Sequence, residues 1–252
     1  MTQATEVLIP TSPDEAAAEF GDGSGVTVIG GGTIVVPEIT YGRLQPVKAL
    51  LLTRAGLAGV TRDGSTVTIG ATTPVQVLVD LPAPLGLCAA NVADVEIRSQ
   101  ATLGGNVCAG SGPDAPRGDL QGPLLALRAV ARSTGAGGER TQPLEEFLDD
   151  HEGRLLLDVS FEEPAAGAFA TIDYPHTSEY TVLAVSGARA AGGTVRLAAT
   201  GLADHARVLP NDPDGAVAAV RLGDDALASA WYRAKTLPVL VRRVLTALEE
   251  AA

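Results

Sequence analysis

Basic charge is scarce in this 252-residue chain: lysine occurs only as Lys48 and Lys235, and 18 Lys+Arg face 30 Asp+Glu, a net charge of −12. A surface of that sign repels phosphate backbones, so nucleic acid is not an expected partner. Long apolar runs are missing too. None approaches the roughly 18 residues that a spanning helix needs, and no membrane span is expected. Cysteine is limited to Cys88 and Cys108, too few for a disulfide framework, and neither has a His or Lys beside it in sequence to lower its pKa. Both are read as small buried apolar residues. The N-terminal MTQATEVLIP lacks the basic stretch and apolar core of an export signal, so a reduced, cytoplasmic protein is expected. With 46% hydrophobic residues and charges scattered rather than blocked, the chain is globular, and at about 150 residues per domain it holds one to two domains.

Several catalytic signatures are also lacking. His151, His176 and His205 have no Cys or His at metal-ligand spacing and read as surface or capping residues. There is no G-x-S-x-G elbow, and neither lysine follows a glycine loop, which removes nucleophile-elbow hydrolases and P-loop nucleotide hydrolases. Glycine triplets beginning at Gly21, Gly30 and Gly135 each lack the final glycine of G-x-G-x-x-G, which disfavours a Rossmann fold. No catalytic side chain and no metal site is expected, and no repeat or heptad run is present.

What is present is a β-rich first half with short helices. Thr11-Ser12 followed by PDEAAAEF predicts a capped helix over 13–20. Val26–Ile29 predicts a strand that runs directly into Gly30-Gly31-Gly32-Thr33, then an apolar segment before Pro37. Val47–Leu52 reads as a buried strand, and residues 59–70 as a hairpin turning at Asp63-Gly64. A helical pattern begins at Thr73, breaks at Pro82 and Pro84, and resumes through Leu85–Val95. Residues 101–122 carry a second glycine cluster and read as a long functional loop. Helix or strand resumes over 124–130, Gly135–Gly138 is a turn, 144–148 a short helix and 155–159 a buried strand. After a small-residue break near Glu163, strand-like segments over 181–189, 194–199 and 206–209 precede helical periods over 216–220 and 226–231. The tail places Pro238 in the first turn of an amphipathic helix with Leu240, Val244, Leu245 and Leu248 on one face.

Two glycine clusters therefore remain, each followed by a hydroxyl or amide residue. Either alone is accounted for by a tight turn. Together they suit a dinucleotide, since backbone N–H groups of such turns converge on an anion and absent side chains let a pyrophosphate approach.

These segments resemble a known family. Ile29-Gly30-Gly31-Gly32-Thr33-Ile34-Val35-Val36-Pro37 is similar to the "AGGT…P" segment, and Ala101-Thr102-Leu103-Gly104-Gly105-Asn106 to the "ATxGGN" segment, of FAD-binding medium subunits of molybdopterin dehydrogenases of the xanthine dehydrogenase and carbon monoxide dehydrogenase type. Further matches run along almost the whole chain: Pro10-Thr11-Ser12 with Asp14-Glu15-Ala16, Ile69–Thr73, Asp119 ahead of Pro123–Leu127, and Tyr232-Arg233 with Val239–Leu245. The resemblance implies an α+β fold: a vanillyl-alcohol-oxidase-type FAD-binding domain of two subdomains over 1–163, then a smaller domain of three strands plus helices over 164–252. It implies that Gly30, Gly31, Gly32 and Thr33 hold the FAD pyrophosphate, with Ile29, Ile34 and Val35 lining the same stretch. Thr102, Leu103, Gly104, Gly105 and Asn106 would form the second wall, and Asp119 and Leu156 would contact the flavin.

It further implies a flavoprotein subunit that passes electrons from a two-iron two-sulfur small subunit to NAD or another external acceptor, beside a molybdopterin-binding large subunit. The family often carries a lysine near the flavin ring, whereas residues 155–188 contain no Lys or Arg and place Thr171, His176 and Glu179 there. Two other readings stay open at this point: a stand-alone FAD-dependent oxidoreductase, and a scaffold subunit that has lost FAD.

Overall fold

The computed structural model describes residues 5–110, 118–174 and 181–251. Within them the chain builds three sheets with helices packed between and against them, an α+β architecture. Strands β1 (Glu6–Leu8), β2 (Val26–Ile29) and β3 (Lys48–Leu51) form a small parallel sheet in the order β1-β3-β2. Parallel neighbours require crossovers. One contains helix α1 (Pro13–Phe20), capped as the sequence predicts by Ser12, whose Oγ accepts from Glu15 N at 3.1 Å. The other holds the first glycine cluster and helix α2 (Val35–Thr40), so the apolar segment after Gly32 is a short helix. Ala16 and Phe20 of α1 pack with Leu50, Leu155 and Leu157.

Strands β4 (Val60–Asp63), β5 (Thr66–Gly70), β6 (Val130–Gly135), β7 (Arg140–Pro143) and β8 (Arg154–Glu162) form an antiparallel sheet in the order β4-β5-β8-β6-β7. Asp63 pairs with Thr66, so the hairpin turns at Gly64-Ser65, one residue beyond the expected Asp-Gly pair, with Gly64 supplying the left-handed φ of +59°. In β8 the ladder to β6 skips Leu157. That irregularity shifts the inward face by one residue, so Leu155 and Leu157 join the cluster under α1 while Leu156, Val159 and Phe161 join the main core.

The helical pattern after Thr73 is three short helices, α3 (Val75–Leu78), α4 (Leu85–Ala90) and α5 (Val95–Gln100), because Pro82, Pro84 and the cap at Asp94 interrupt it. The long loop expected over 101–122 is corrected: it contains α6 (Leu103–Val107) and the start of α7 (Gln121–Ala126), while residues 111–117 lie outside the described residues. Thr102 caps α6 by accepting from Gly105 N at 3.1 Å, and Leu103 and Val107 anchor it in the core. Helix α8 (Leu144–Asp149) packs on the same core through Phe147.

The last sheet has four strands, not the expected three: β9 (Ala166–Asp173), β10 (Thr181–Arg189), β11 (Val195–Thr200) and β12 (Arg207–Leu209), in the order β12-β11-β10-β9. β9 is rich in Ala and Gly and carries little apolar signal, yet it pairs with β10 along most of its length. Both faces are covered. Leu183, Val185, Leu197 and Ala199 meet helix α9 (Ala230–Glu250), while Ala188 and Ala198 join the core that contains α7. Pro238 lies inside α9 rather than in its first turn. The buried Leu237, Leu240, Val241, Val244 and Leu248 carry the helix past it. The helical periods over 216–220 and 226–231 are turns up to Ala230, because Asp212 and Asp225 accept from nearby backbone N–H groups and compete with helix formation. Among the described residues no helix is long and apolar enough to cross a membrane.

Candidate functional site

The two glycine clusters meet. A Cβ on Gly30 would lie 2.6 Å from Thr102 Oγ1, and one on Gly31 would overlap the Gln100 carbonyl, so the turn after β2 and the segment entering α6 touch backbone to backbone. Gly31 is thus required by the partner loop. Its missing side chain makes room for the Gln100 carbonyl and not, as expected from the sequence, for a pyrophosphate. Gly32 has φ +75°, a left-handed position open to glycine at little cost.

The hydrogen bonding of the two clusters differs. In the second, Leu103 N donates to Thr73 O at 2.9 Å, Gly104 N to Ala71 O at 2.7 Å and Gly105 N to Thr102 Oγ1, so its donors are spent on the protein itself. In the first, the backbone N–H groups of Gly31, Gly32 and Thr33 donate to no partner among the described residues. Successive unbonded N–H groups in a glycine turn form a concavity that attracts anions.

This turn borders a cleft of about 1510 Å³. Of the sequence-predicted residues, Gly30, Gly31, Gly32, Thr33, Ile34, Val35, Thr102, Gly104, Gly105, Asn106, Asp119 and Leu156 line it. Ile29 and Leu103 do not: Ile29 ends β2, and Leu103 is fully buried in the main core. Asn106 is fixed by its Oδ1, which accepts from Leu120 N at 2.8 Å and so ties α6 to the turn that carries Asp119. Buried Gln121 repeats the tie, donating to Val107 O at 2.8 Å and accepting from Ala206 N at 3.0 Å.

Other lining residues escaped the sequence reading. Ala71 and Thr72 follow β5, and Val92, Ala93 and Asp94 follow α4. His151 precedes β8 and Arg154 begins it, while Thr181 and Leu227 come from the C-terminal part. Arg154 lines the cleft just before the stretch that lacks Lys and Arg. Its guanidinium donates to Ser133 O at 2.9 Å and Gly138 O at 3.1 Å, and desolvation, with Arg140 nearby, lowers its pKa. Arg43, also at the cleft, pairs with Glu38 at 3.1 Å. His176 and Glu179 lie outside the described residues. Cys108 lines the cleft, and burial pushes its thiol up to about 12; Cys88 is raised by burial and by Asp119. Neither thiol is a nucleophile at neutral pH. Among the described residues no group of three or more His, Cys, Asp or Glu is placed to hold a metal ion.

A cleft bordered by a turn with free N–H groups and lined by more apolar than polar surface suits a nucleotide cofactor. Residues 3–161 match the family described as the FAD binding domain in molybdopterin dehydrogenase, and the chain belongs to that family. It is 32% identical over 151 residues to the carbon monoxide dehydrogenase medium chain of Hydrogenophaga pseudoflava, a match covering 57% of this chain and 51% of that protein; the match thus spans about half the length of that relative. Solved structures at 19–24% identity share the fold. One, from a carbon monoxide dehydrogenase of Hydrogenophaga pseudoflava lacking the Mo-pyranopterin moiety of its molybdenum cofactor, superposes with a TM-score of 0.87 at 24% identity, covering 100% of this chain and 99% of that one. Reconstituted CO dehydrogenase from Oligotropha carboxidovorans gives 0.83 at 21% identity, covering 100% of both chains. Quinoline 2-oxidoreductase from Pseudomonas putida 86 gives 0.81 at 19% identity, covering 100% and 99%.

Proposed function

We propose that this chain is the FAD-binding electron-transfer subunit of a molybdenum hydroxylase complex. The observation that carries the reading is the row of unbonded N–H groups at Gly31, Gly32 and Thr33, opening on a cleft whose other edge is the second glycine cluster. Those donors suit a pyrophosphate, and the Cβ-free contact between the clusters keeps them in register. Thr102, Gly104, Gly105 and Asn106 form the second wall. Asp119 and Leu156 border the flavin, while Ile29 and Leu103 support the walls from behind. In this reading the vanillyl-alcohol-oxidase-type FAD unit spans 1–163 and the second domain 164–252.

FAD, when bound, supplies two-electron chemistry that can also proceed one electron at a time. The residues bind it, orient it and keep water from its buried side, and no side chain serves as acid or base. The partners in this reading are a molybdopterin-binding large subunit and a two-iron two-sulfur small subunit, with NAD or another external acceptor as destination, in the cytoplasm. The test is to load the full chain with FAD and mix it with a reduced two-iron two-sulfur protein from a related complex. Bleaching of the flavin absorption, reversed by an added acceptor, is the expected result. A flavin that binds but stays oxidised would mark a stand-alone flavoprotein, and a chain that binds none would mark a scaffold.

A further inference from the structure

Ala93 and Arg128 are the two non-glycine residues with positive φ among the described residues. Ala93, at φ +41°, lines the cleft between Val92 and Asp94. An alanine does not rest in the left-handed region unaided, and a strained residue of this kind persists where its surroundings over-determine it. Here they do. Arg98 of α5 donates from Nη1 to Ala93 O at 2.7 Å and to Val92 O at 3.0 Å, and its Nε donates to Gln76 Oε1 at 2.9 Å. On the preceding side, Asn91 Nδ2 donates to Asp173 Oδ1 at 3.0 Å and to Thr181 Oγ1 at 3.3 Å, and on the following side Asp94 Oδ1 accepts from Ile97 N at 2.7 Å. Among the described residues no carboxylate pairs with Arg98, so its guanidinium is committed to carbonyl and amide oxygens.

We propose that Arg98 is a positioning residue of the cofactor cleft: by clamping the carbonyls of Val92 and Ala93 it holds Ala93 in its left-handed conformation and thereby sets the Val92–Asp94 wall against which the cofactor packs. Nη1 holds both carbonyls while Nε is anchored on Gln76, so the clamp uses two nitrogens of one rigid planar fork, which the single nitrogen of a lysine cannot span. Because strain is what the clamp opposes, its loss is repaired by removing the strain. Glycine occupies the left-handed region at little cost, so Ala93→Gly rebuilds the wall without Arg98.

The inference rests on the flavin reading above. The experiment titrates FAD into the full chain and into Arg98→Lys, Ala93→Gly and the double variant, following flavin fluorescence well below each protein's Tm. Arg98→Lys weakens binding about tenfold relative to wild type, whereas the double variant binds within about threefold of Ala93→Gly alone, because the clamp has nothing to hold once residue 93 is glycine. Unchanged affinity in Arg98→Lys, even with a lowered Tm, overturns the proposal and leaves Arg98 a stability residue. A double variant about tenfold weaker than Ala93→Gly overturns it as well, because Arg98 would then act by some route other than the conformation of residue 93. Should Arg98→Lys fail to fold, Gln76→Ala loosens the same guanidinium and is compared with Gln76→Ala/Ala93→Gly by the same criterion. Failure of the wild-type chain to bind FAD removes the flavin reading and this inference together, an outcome distinct from tight wild-type binding that Arg98→Lys leaves unchanged.

Discussion

The position that a Cβ of Gly31 would occupy is filled by the carbonyl oxygen of Gln100. The two glycine clusters are therefore one structural unit, and what looks in sequence like space kept for a ligand is space kept for the neighbouring loop. Gly31→Ala has to push the segment entering α6 away from the turn after β2. The expected cost is about 1–3 kcal/mol, the usual range for overpacking, together with loss of FAD affinity. Thermal unfolding and flavin titration check both, and a variant with wild-type Tm would show that the loops separate freely.

Asn106 reaches the cleft by fastening its floor. Its Oδ1 holds Leu120 N, and Asn106→Ala leaves that buried N–H without its acceptor at an expected cost of about 1–3 kcal/mol. FAD affinity should fall with it, since Asp119 sits on the turn that is released. Chemical denaturation measures the first effect, and the second is contradicted if flavin content survives intact.

The buried Arg233 side chain ties the turn before α9 to the sheet. It donates to both oxygens of Asp225 at 2.8 and 2.9 Å, and to the carbonyls of Val182, Gly223 and Ala228. Arg233→Leu abolishes all of these at a position that is 1% exposed, an expected loss of about 3–5 kcal/mol. Leu227, on the turn so held, lines the cleft, so a drop in flavin affinity accompanies the lower urea midpoint. A midpoint within experimental error of wild type would refute the anchoring role.

Burial raises the Cys108 thiol from 9.0 to about 12. The folded chain favours the neutral thiol, so the associated stability is complete below pH 9.0 and is lost as the pH climbs through about 12. At pH 8 a thiol-reactive disulfide reagent should label neither cysteine rapidly in the folded chain and both after unfolding. Fast labelling of one thiol in the native protein would place a thiolate where none is expected.

The elements most legible in sequence were those whose signals are local. Ser12 with Pro13, Asp14 and Glu15 marks α1, and the β-branched run into Gly30 marks β2 and its turn. α6 was hidden because Gly104 and Gly105 are poor helix formers. Its signal was Thr102 as cap, with Leu103, Asn106 and Val107 at helical spacing. β9 was hidden because a strand pairing along a well-buried neighbour needs no strong apolar face of its own. In the site, the motif residues were legible by resemblance. The remaining lining residues were not, since Ala93, Arg154 and Thr181 reach the cleft only through tertiary packing, and nothing in their local sequence marks them.

The central claim is that the cleft holds FAD, and the most direct measurement is the visible absorption of the purified full chain, with chromatography of any nucleotide released on heating. A flavin spectrum and close to one FAD per chain are expected, either as purified or after adding FAD. A colourless protein that binds no FAD on titration, while folded by circular dichroism, would contradict it.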